Sequence, residues 1–334
     1  MAVVTQNSVT ESLGRVLSTS TRAVVRKLQD AAFGSRATWN TIYKNMRRED
    51  LGTSNDLQVP LLLAKPGKAD SFRDDDTTST AFVDVVTAMT FTVQDYIYNA
   101  TYTWRDMMKA NGNTGFDDLV KREVGIGMDD LTDRLNADCS ADGTGNGTTR
   151  LVGSAAFADD GNTTGNYGNV SRASNSNHRN VSTDNSNTTG DVLEDIRTSY
   201  TSASSGGDEP DYIFSGRTAR NVYESKLMTT NYWESTTIAG GPGNARHKAL
   251  QYGSANWIVD EDFGNWGGGT NVNVLMVNSK YLNLRVRAGV DFLVQETRYT
   301  ASGQQVFVVP ILFSGILYAD QLRSHAVIFN MAAA

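Results

Sequence analysis

The chain has 334 residues, 39% of them hydrophobic, with thirteen Tyr, twelve Phe and five Trp. That is enough apolar surface for one large domain or two or three smaller ones, and it excludes disorder throughout. A net charge of -7 argues against a surface built to neutralise phosphates, and the single cysteine, Cys139, excludes an internal disulfide framework and a thiolate metal cluster.

The N-terminus has no basic start followed by an apolar core, so no secretory signal is read there and cytoplasmic synthesis is expected. Residues 8 to 30 place Val9, Leu13, Val16, Leu17, Val24 and Leu28 at helical spacing, with Arg22, Arg26 and Lys27 in the C-terminal half, where cations suit the helix dipole. One or two helices follow, with a break at Ser18-Thr19-Ser20-Thr21.

From Leu57 to about Tyr102 the pattern turns to strand. Val59 to Leu63 leads into a turn at Lys65-Pro66-Gly67-Lys68 and a charged tip from Asp70 to Asp76, and apolar and β-branched residues resume at Phe82. These signals predict a long hairpin. Its distal half, bearing Lys68, Arg73, Asp74, Asp75 and Asp76, is too polar to pack on its own domain and should be exposed or held by another chain. Phe91 to Tyr98 reads as a strand with at least one face covered.

Thr114 and Asp117 resemble a capping box, and Phe116, Val120, Val124, Met128, Leu131 and Leu135 then recur at intervals of three to four. The spacing predicts a long helix ending near Ala141-Asp142-Gly143. Gly125 and Gly127 inside it imply either close packing on another backbone or a bend. The stretch from Gly143 to Gly190 is dominated by Gly, Asn, Ser, Thr and Asp and predicts a long irregular loop.

Order returns with a short helix at Val192 to Ile196. Tyr212 to Gly216 reads as a buried strand leading into a helix from Arg217 to Met228, and Asn256 to Val259 as a further strand. Val272 to Val277 continues the strand pattern, and Leu282, Leu284 and Val286 alternate with Asn283, Arg285 and Arg287 as in a half-buried sheet. Phe292 to Thr300 and Gln304 to Phe313 pair across a turn at Thr300 to Gly303, and Ala326 to Phe329 forms a final strand. The apolar run Val306 to Ala319 is interrupted by Pro310 and Ser314-Gly315, and is too short for a membrane-spanning helix.

No catalytic or metal-binding pattern emerges. His178, His247 and His325 stand far apart, outside any H-x-x-x-H frame, and read as solvated or packed imidazoles. Gly240 to Lys248 lacks the phosphate-loop frame. Asp117-Asp118 and Asp129-Asp130 are explained by helix electrostatics and a solvated helix face, and Asp138 to Asn146 lacks the order of a calcium loop. No enzyme activity, cofactor or metal is expected. A carbohydrate-binding protein on a β-rich scaffold remains an alternative.

The order of these elements resembles the Hong Kong 97 (HK97)-like fold of tailed-bacteriophage major capsid proteins. Tyr96 to Ala110 followed by Phe116 to Ala137 is similar to that family's backbone strand and spine helix. Asp211 to Arg217 resembles its strand-to-helix entry, and Val272 to Met331 its C-terminal succession of strands. The resemblance implies an α+β fold with an N-terminal arm (1–48), an extended loop (49–86), a peripheral domain with the spine helix (87–149 and 281–325) and an axial domain (150–280 and 326–334).

It also implies a structural subunit that self-assembles, through pentamers and hexamers, into an icosahedral shell enclosing phage DNA without sequence-specific binding. The shell would be assembled in the bacterial host cytoplasm, with no membrane partner. A separate scaffolding protein and a portal are implied as partners, with a decoration protein as an optional addition. Contacts between subunits would fall on Arg22, Arg26 and Lys27 of the arm and on Lys65, Lys68, Arg73, Asp74, Asp75 and Asp76 of the loop. Some members cross-link a loop Lys to a neighbour's Asn, but this chain reads Ser302-Gly303-Gln304-Gln305 where that Asn would stand, which favours ordinary ion pairing. A bacterial nanocompartment shell of the encapsulin type shares the fold and stays open as a second reading.

Overall fold

The computed structural model describes residues 36–52, 54–65, 67–69, 71, 84–109, 113–143, 150–158, 165–184, 191–229, 251–261, 263, 273–296, 298–299 and 306–331. The N-terminal helices, the charged tip at 72–76, the glycine-rich stretch 240–248 and Ser302 to Gln305 lie outside these residues.

The described chain opens with α1 (Ala37–Asn45) and the short strand β1 (Arg47–Asp50). The strands β2 (Asp56–Leu62), β3 (Val86–Thr92) and β4 (Gln94–Thr103) follow, then a single-turn α2 (Trp104–Lys109) and the long α3 (Asn113–Ser140). Next come α4 (Ser154–Phe157), β5 (Asn166–Tyr167), β6 (Val170–Ser171), β7 (Val181–Asp184) and α5 (Val192–Ala203). The remainder alternates β8 (Tyr212–Ser215), α6 (Arg217–Thr229), β9 (Gln251–Tyr252), β10 (Ala255–Val259), β11 (Val274–Val277) and β12 (Leu282–Val286). The chain finishes with β13 (Leu293–Val294), β14 (Arg298–Tyr299), β15 (Val306–Ala319) and β16 (Ala326–Phe329).

Two compact units emerge, and the division between them falls within α3 and within β15. The described part of the first holds Asp95–Leu135 and Arg287–Ser314. In it the first half of β15 pairs antiparallel with β13 (Leu293 opposite Leu312) and with β14 (Tyr299 opposite Phe307), and it also pairs with β4. The predicted pairing across residues 300–303 is therefore present. Ala100, Tyr102, Phe307 and Val309 form the buried face of this sheet, with Tyr98 and with Val120 and Val124 of α3 packed on it. Tyr102 donates its hydroxyl hydrogen to the Val120 carbonyl oxygen at 3.3 Å.

The glycine expectation divides. A Cβ on Gly127 would overlap the Tyr98 ring and come within 3.0 Å of Ile311, so this glycine marks close packing on the sheet. Gly125 meets nothing and is exposed, so no packing reason holds there.

The second unit comprises Ser35–Gln94, Asn136–Val286 and Gly315–Ala334. Its main sheet runs in the order β7-β16-β11-β8-β10-β9, mixing parallel pairs (β7 with β16, β8 with β10) and antiparallel ones. Strand alternation sends Ile213, Trp257, Val274, Met276 and Ile328 to one face, where Val192, Ile196 and Tyr200 of α5 and Val222 and Tyr223 of α6 cover them. Full burial of each aliphatic side chain here stabilises by about 1.5–3 kcal/mol. Tyr223 stacks on Trp257 at 4.8 Å, and the Trp257 indole N–H donates to Ser215 Oγ at 2.6 Å. On the other face Phe214 and Leu275 meet Ile42 of α1, Cys139 at the end of α3, Phe157 of α4, Leu282 and Leu317 around one small apolar void.

Three expectations are corrected. The stretch 143–190 is not one irregular loop: α4, a β5–β6 hairpin and β7 are built from it, and Leu151, Phe157, Tyr167, Arg172 and His178 are buried. Its polar residues go inside because backbone carbonyls receive them, as when Arg172 donates to the Ala156 and Phe157 oxygens. β12 is not half-buried, because Asn283 is also enclosed, donating to Asp320 at 2.6 Å, and Arg285 pairs with Glu49 of β1 at 2.5 Å. Phe91 to Tyr98 is divided at Val93, whose N–H still bonds the Asn55 carbonyl in the hairpin register while the strand beyond it, β4, pairs with β15.

Candidate functional site

The predicted hairpin is present as β2 and β3, paired antiparallel over seven residues from Asp56 opposite Thr92 to Leu62 opposite Val86. Among the described residues, the only strand partner of each is the other. Pro60 inside β2 suits this arrangement, since proline is tolerated where a strand edge is free. One face of the hairpin is apolar along its length: Leu57 faces Phe91 and Val59 faces Met89. At the root this face is covered by the hairpin's own unit. Met89 is fully buried, and Phe91 packs on Tyr167 at 5.3 Å and Tyr318 at 5.5 Å between ring centres.

Cover is lost toward the far end. Leu61 and Leu63 are half-buried on this face, and on the opposite face the cross-strand pair Leu62 and Val86 is 59% and 60% exposed. Beyond it, Lys65 and Lys68 stand in solvent. The structure thus places these two predicted contact residues on the exposed extension. Arg22, Arg26, Lys27, Arg73, Asp74, Asp75 and Asp76 lie outside the described residues.

The sequence reading overlooked the feature that holds the hairpin. β5 and β6 form a small hairpin whose turn residues, Gly168 and Asn169, both have positive φ (58° and 65°), as a tight type I′ turn requires. The Gly168 carbonyl accepts from the Thr90 N–H at 3.0 Å, and the Asn169 amide donates to Thr90 Oγ1. A Cβ on Gly168 would come within 2.7 Å of Met89. Further out, the Asn177 amide donates to the Leu63 carbonyl at 2.9 Å. The signal was legible as Tyr167-Gly168-Asn169-Val170, a Gly-Asn turn between two β-formers.

The first unit also shows apolar surface. Ile97 on the outer face of β4, Trp104 and Met108 on α2, and Leu293 and Val294 of β13 are all exposed. Trp104 lies one helical turn from Met108 and stacks on Phe307 at 6.5 Å.

Reactive groups are dispersed. Among the described residues no group of three or more His, Cys, Asp or Glu side chains is placed to hold a metal ion. His178 is buried, its Nε2 3.3 Å from the Tyr167 carbonyl, and burial lowers its pKa. His325 is fully buried against Phe157, and burial brings its pKa to about 3. His247 lies outside the described residues. The Cys139 thiol is buried and pushed far up by desolvation, with Asp138 and Asp260 adding to the effect, so it is no nucleophile. Asp129 and Asp130 sit on an exposed helix face.

No family model and no curated protein matches the chain by sequence. Solved structures do match by shape, along nearly the whole chain. The capsid asymmetric unit of cyanophage A-1(L) superimposes with a TM-score of 0.67 at 12% identity, covering 93% of this chain and 97% of that one. The fold is HK97-like. The holo-SrpI encapsulin complex from Synechococcus elongatus PCC 7942 gives 0.60 at 11% identity, covering 96% and 95%. The capsid of a native GTA particle gives 0.59 at 10% identity, covering 94% and 95%. No helix among the described residues is long and apolar enough to cross a membrane.

Proposed function

We propose that this chain is the shell subunit of a tailed-phage capsid. It associates with copies of itself as pentamers and hexamers and encloses DNA without reading its sequence. The observation that carries this reading is the exposed Leu62–Val86 pair at the outer part of a two-stranded hairpin. Large apolar side chains on an isolated hairpin end gain their stabilisation only when another surface covers them, and a second copy of the chain is the surface a shell supplies. Capsid structures of the same fold support the reading.

Within this proposal, residues 1–48 act as the arm, 49–86 as the extended loop, 87–149 with 281–325 as the peripheral domain, and 150–280 with 326–334 as the axial domain. Arm and loop charges supply rim contacts, scaffolding, portal and decoration proteins are the partners, and the mature location is the virion. The role calls for no catalysis.

A nanocompartment shell is the second reading, favoured by the encapsulin of the same fold. Shells purified from the native source separate the two, since the first reading expects DNA inside and the second a protein cargo. For assembly itself, the purified chain should sediment as shells or as pentamers and hexamers, and Leu62→Glu with Val86→Glu should shift it to monomer with little change in its own unfolding. A wild-type chain that stays monomeric at high concentration overturns the proposal.

A further inference from the structure

The extended hairpin is joined to its unit covalently at a point where the backbone is permissive. Gly52 has φ of 69°, and among the described residues a Cβ there would meet nothing within 4 Å. A lone two-stranded ribbon on such a root would swing. Residues 165–179 oppose this at two separated places. Thr90, which lies opposite Gln58, is bound by the Gly168–Asn169 turn, and Leu63 is bound by the Asn177 amide. From Gln58 to Leu63 a strand advances about 17 Å, and two pins that far apart along a ribbon fix its direction where one would leave a pivot.

The segment that carries the pins is itself stiff. Asn175 donates to the Ser171 carbonyl, and Arg179 donates to the carbonyls of Arg172 and Ala173, closing the loop on itself. At its inner end the Tyr167 hydroxyl accepts from the Ala319 N–H at 2.8 Å. At its outer end Val181 donates to the His325 carbonyl and enters the main sheet beside β16. A rigid loop anchored at both ends therefore touches the hairpin twice.

We propose that residues 165–179 are a brace that sets the direction in which the β2–β3 hairpin leaves its unit, and through it the angle between neighbouring copies. The second half of this statement rests on the shell-subunit reading; the first does not. Asn169→Ala and Asn177→Ala, singly and together, remove the side-chain pins without touching the hydrophobic root. In the unassembled full-length chain, amide hydrogen exchange over 56–63 and 85–92 should accelerate about tenfold in the double variant, with β8 and β11 unchanged. Electron microscopy of assembled material should then show a broadened range of shell sizes and curvatures. Gly168→Ala, which forces a Cβ toward Met89, should do the same more severely. Unchanged hairpin protection in both the double variant and Gly168→Ala overturns the brace itself. Loosened hairpins that still give shells as uniform as wild type overturn its role in assembly angle. A wild-type chain that forms no shells refutes the shell-subunit reading, and the exchange measurement still decides the brace.

Discussion

His325 makes the stability of the second unit depend on pH in a direction and size that follow from its burial. The ring is fully enclosed, lies 5.1 Å from Phe157 between ring centres, and receives only a long 3.4 Å contact from the Asn278 N–H at Nδ1. Nε2 has no partner. Desolvation moves its pKa from 6.5 to about 3. The unfolded chain takes up this proton near pH 6.5 and the native one does so only near 3, so the unfolded state binds more protons between those values. Stability therefore falls as pH falls, starting near 6.5 and levelling off below about 3. For a single site with this shift the loss between pH 7 and pH 5 is ~2 kcal/mol. Urea unfolding of the unassembled chain at both pH values, for wild type and His325→Gln, isolates the effect, because His178 and the carboxylates are common to both. Wild type should lose ~2 kcal/mol more than the variant over this interval. Equal losses would refute the reasoning.

Two further predictions concern helices. Gly125→Ala and Gly127→Ala make the same chemical change two residues apart and should act with opposite sign. The first gains about 1 kcal/mol of helix propensity in open space, and the second loses roughly 1–3 kcal/mol of packing against Tyr98 and Ile311, partly offset by the same propensity. Thermal unfolding of the two variants checks this. Asp191 caps α5 by accepting from the Leu193 N–H at 3.1 Å, so Asp191→Ala should cost about 1 kcal/mol, seen as a lower denaturant midpoint with unchanged slope.

Elements with a strong period were legible in the sequence. The α3 helix announces itself through Val120, Val124, Leu131 and Leu135, and β8 running into α6 through Tyr212 to Gly216, because one face of each is apolar and its spacing is fixed by backbone geometry. What escaped was structure whose burial is polar. Arg172, His178 and Asn283 look like solvent residues by type, and only their partners, the Ala156 and Tyr167 carbonyls and Asp320, explain why they are inside. Such partners lie far away in the chain, so no local pattern reports them. The candidate site shows the same limit. The charges at Lys65 and Lys68 marked the hairpin as exposed, but the alternation through Leu61, Leu62 and Leu63 does not say which side is left uncovered.

The strand order of the main sheet bears on when the hairpin's support is complete. β16 lies inside that sheet, between β11 and β7, and among the described strands β7 pairs only with it. Val181 and Ala326 meet across a long stretch of chain, and a pairing of that separation carries a large loop-closure cost. Until residues 325–329 have joined the sheet, Val181 lacks both the His325 carbonyl and its strand partner. The segment that touches the hairpin at Thr90 and Leu63 is thus anchored at one end by the last strand of the described chain.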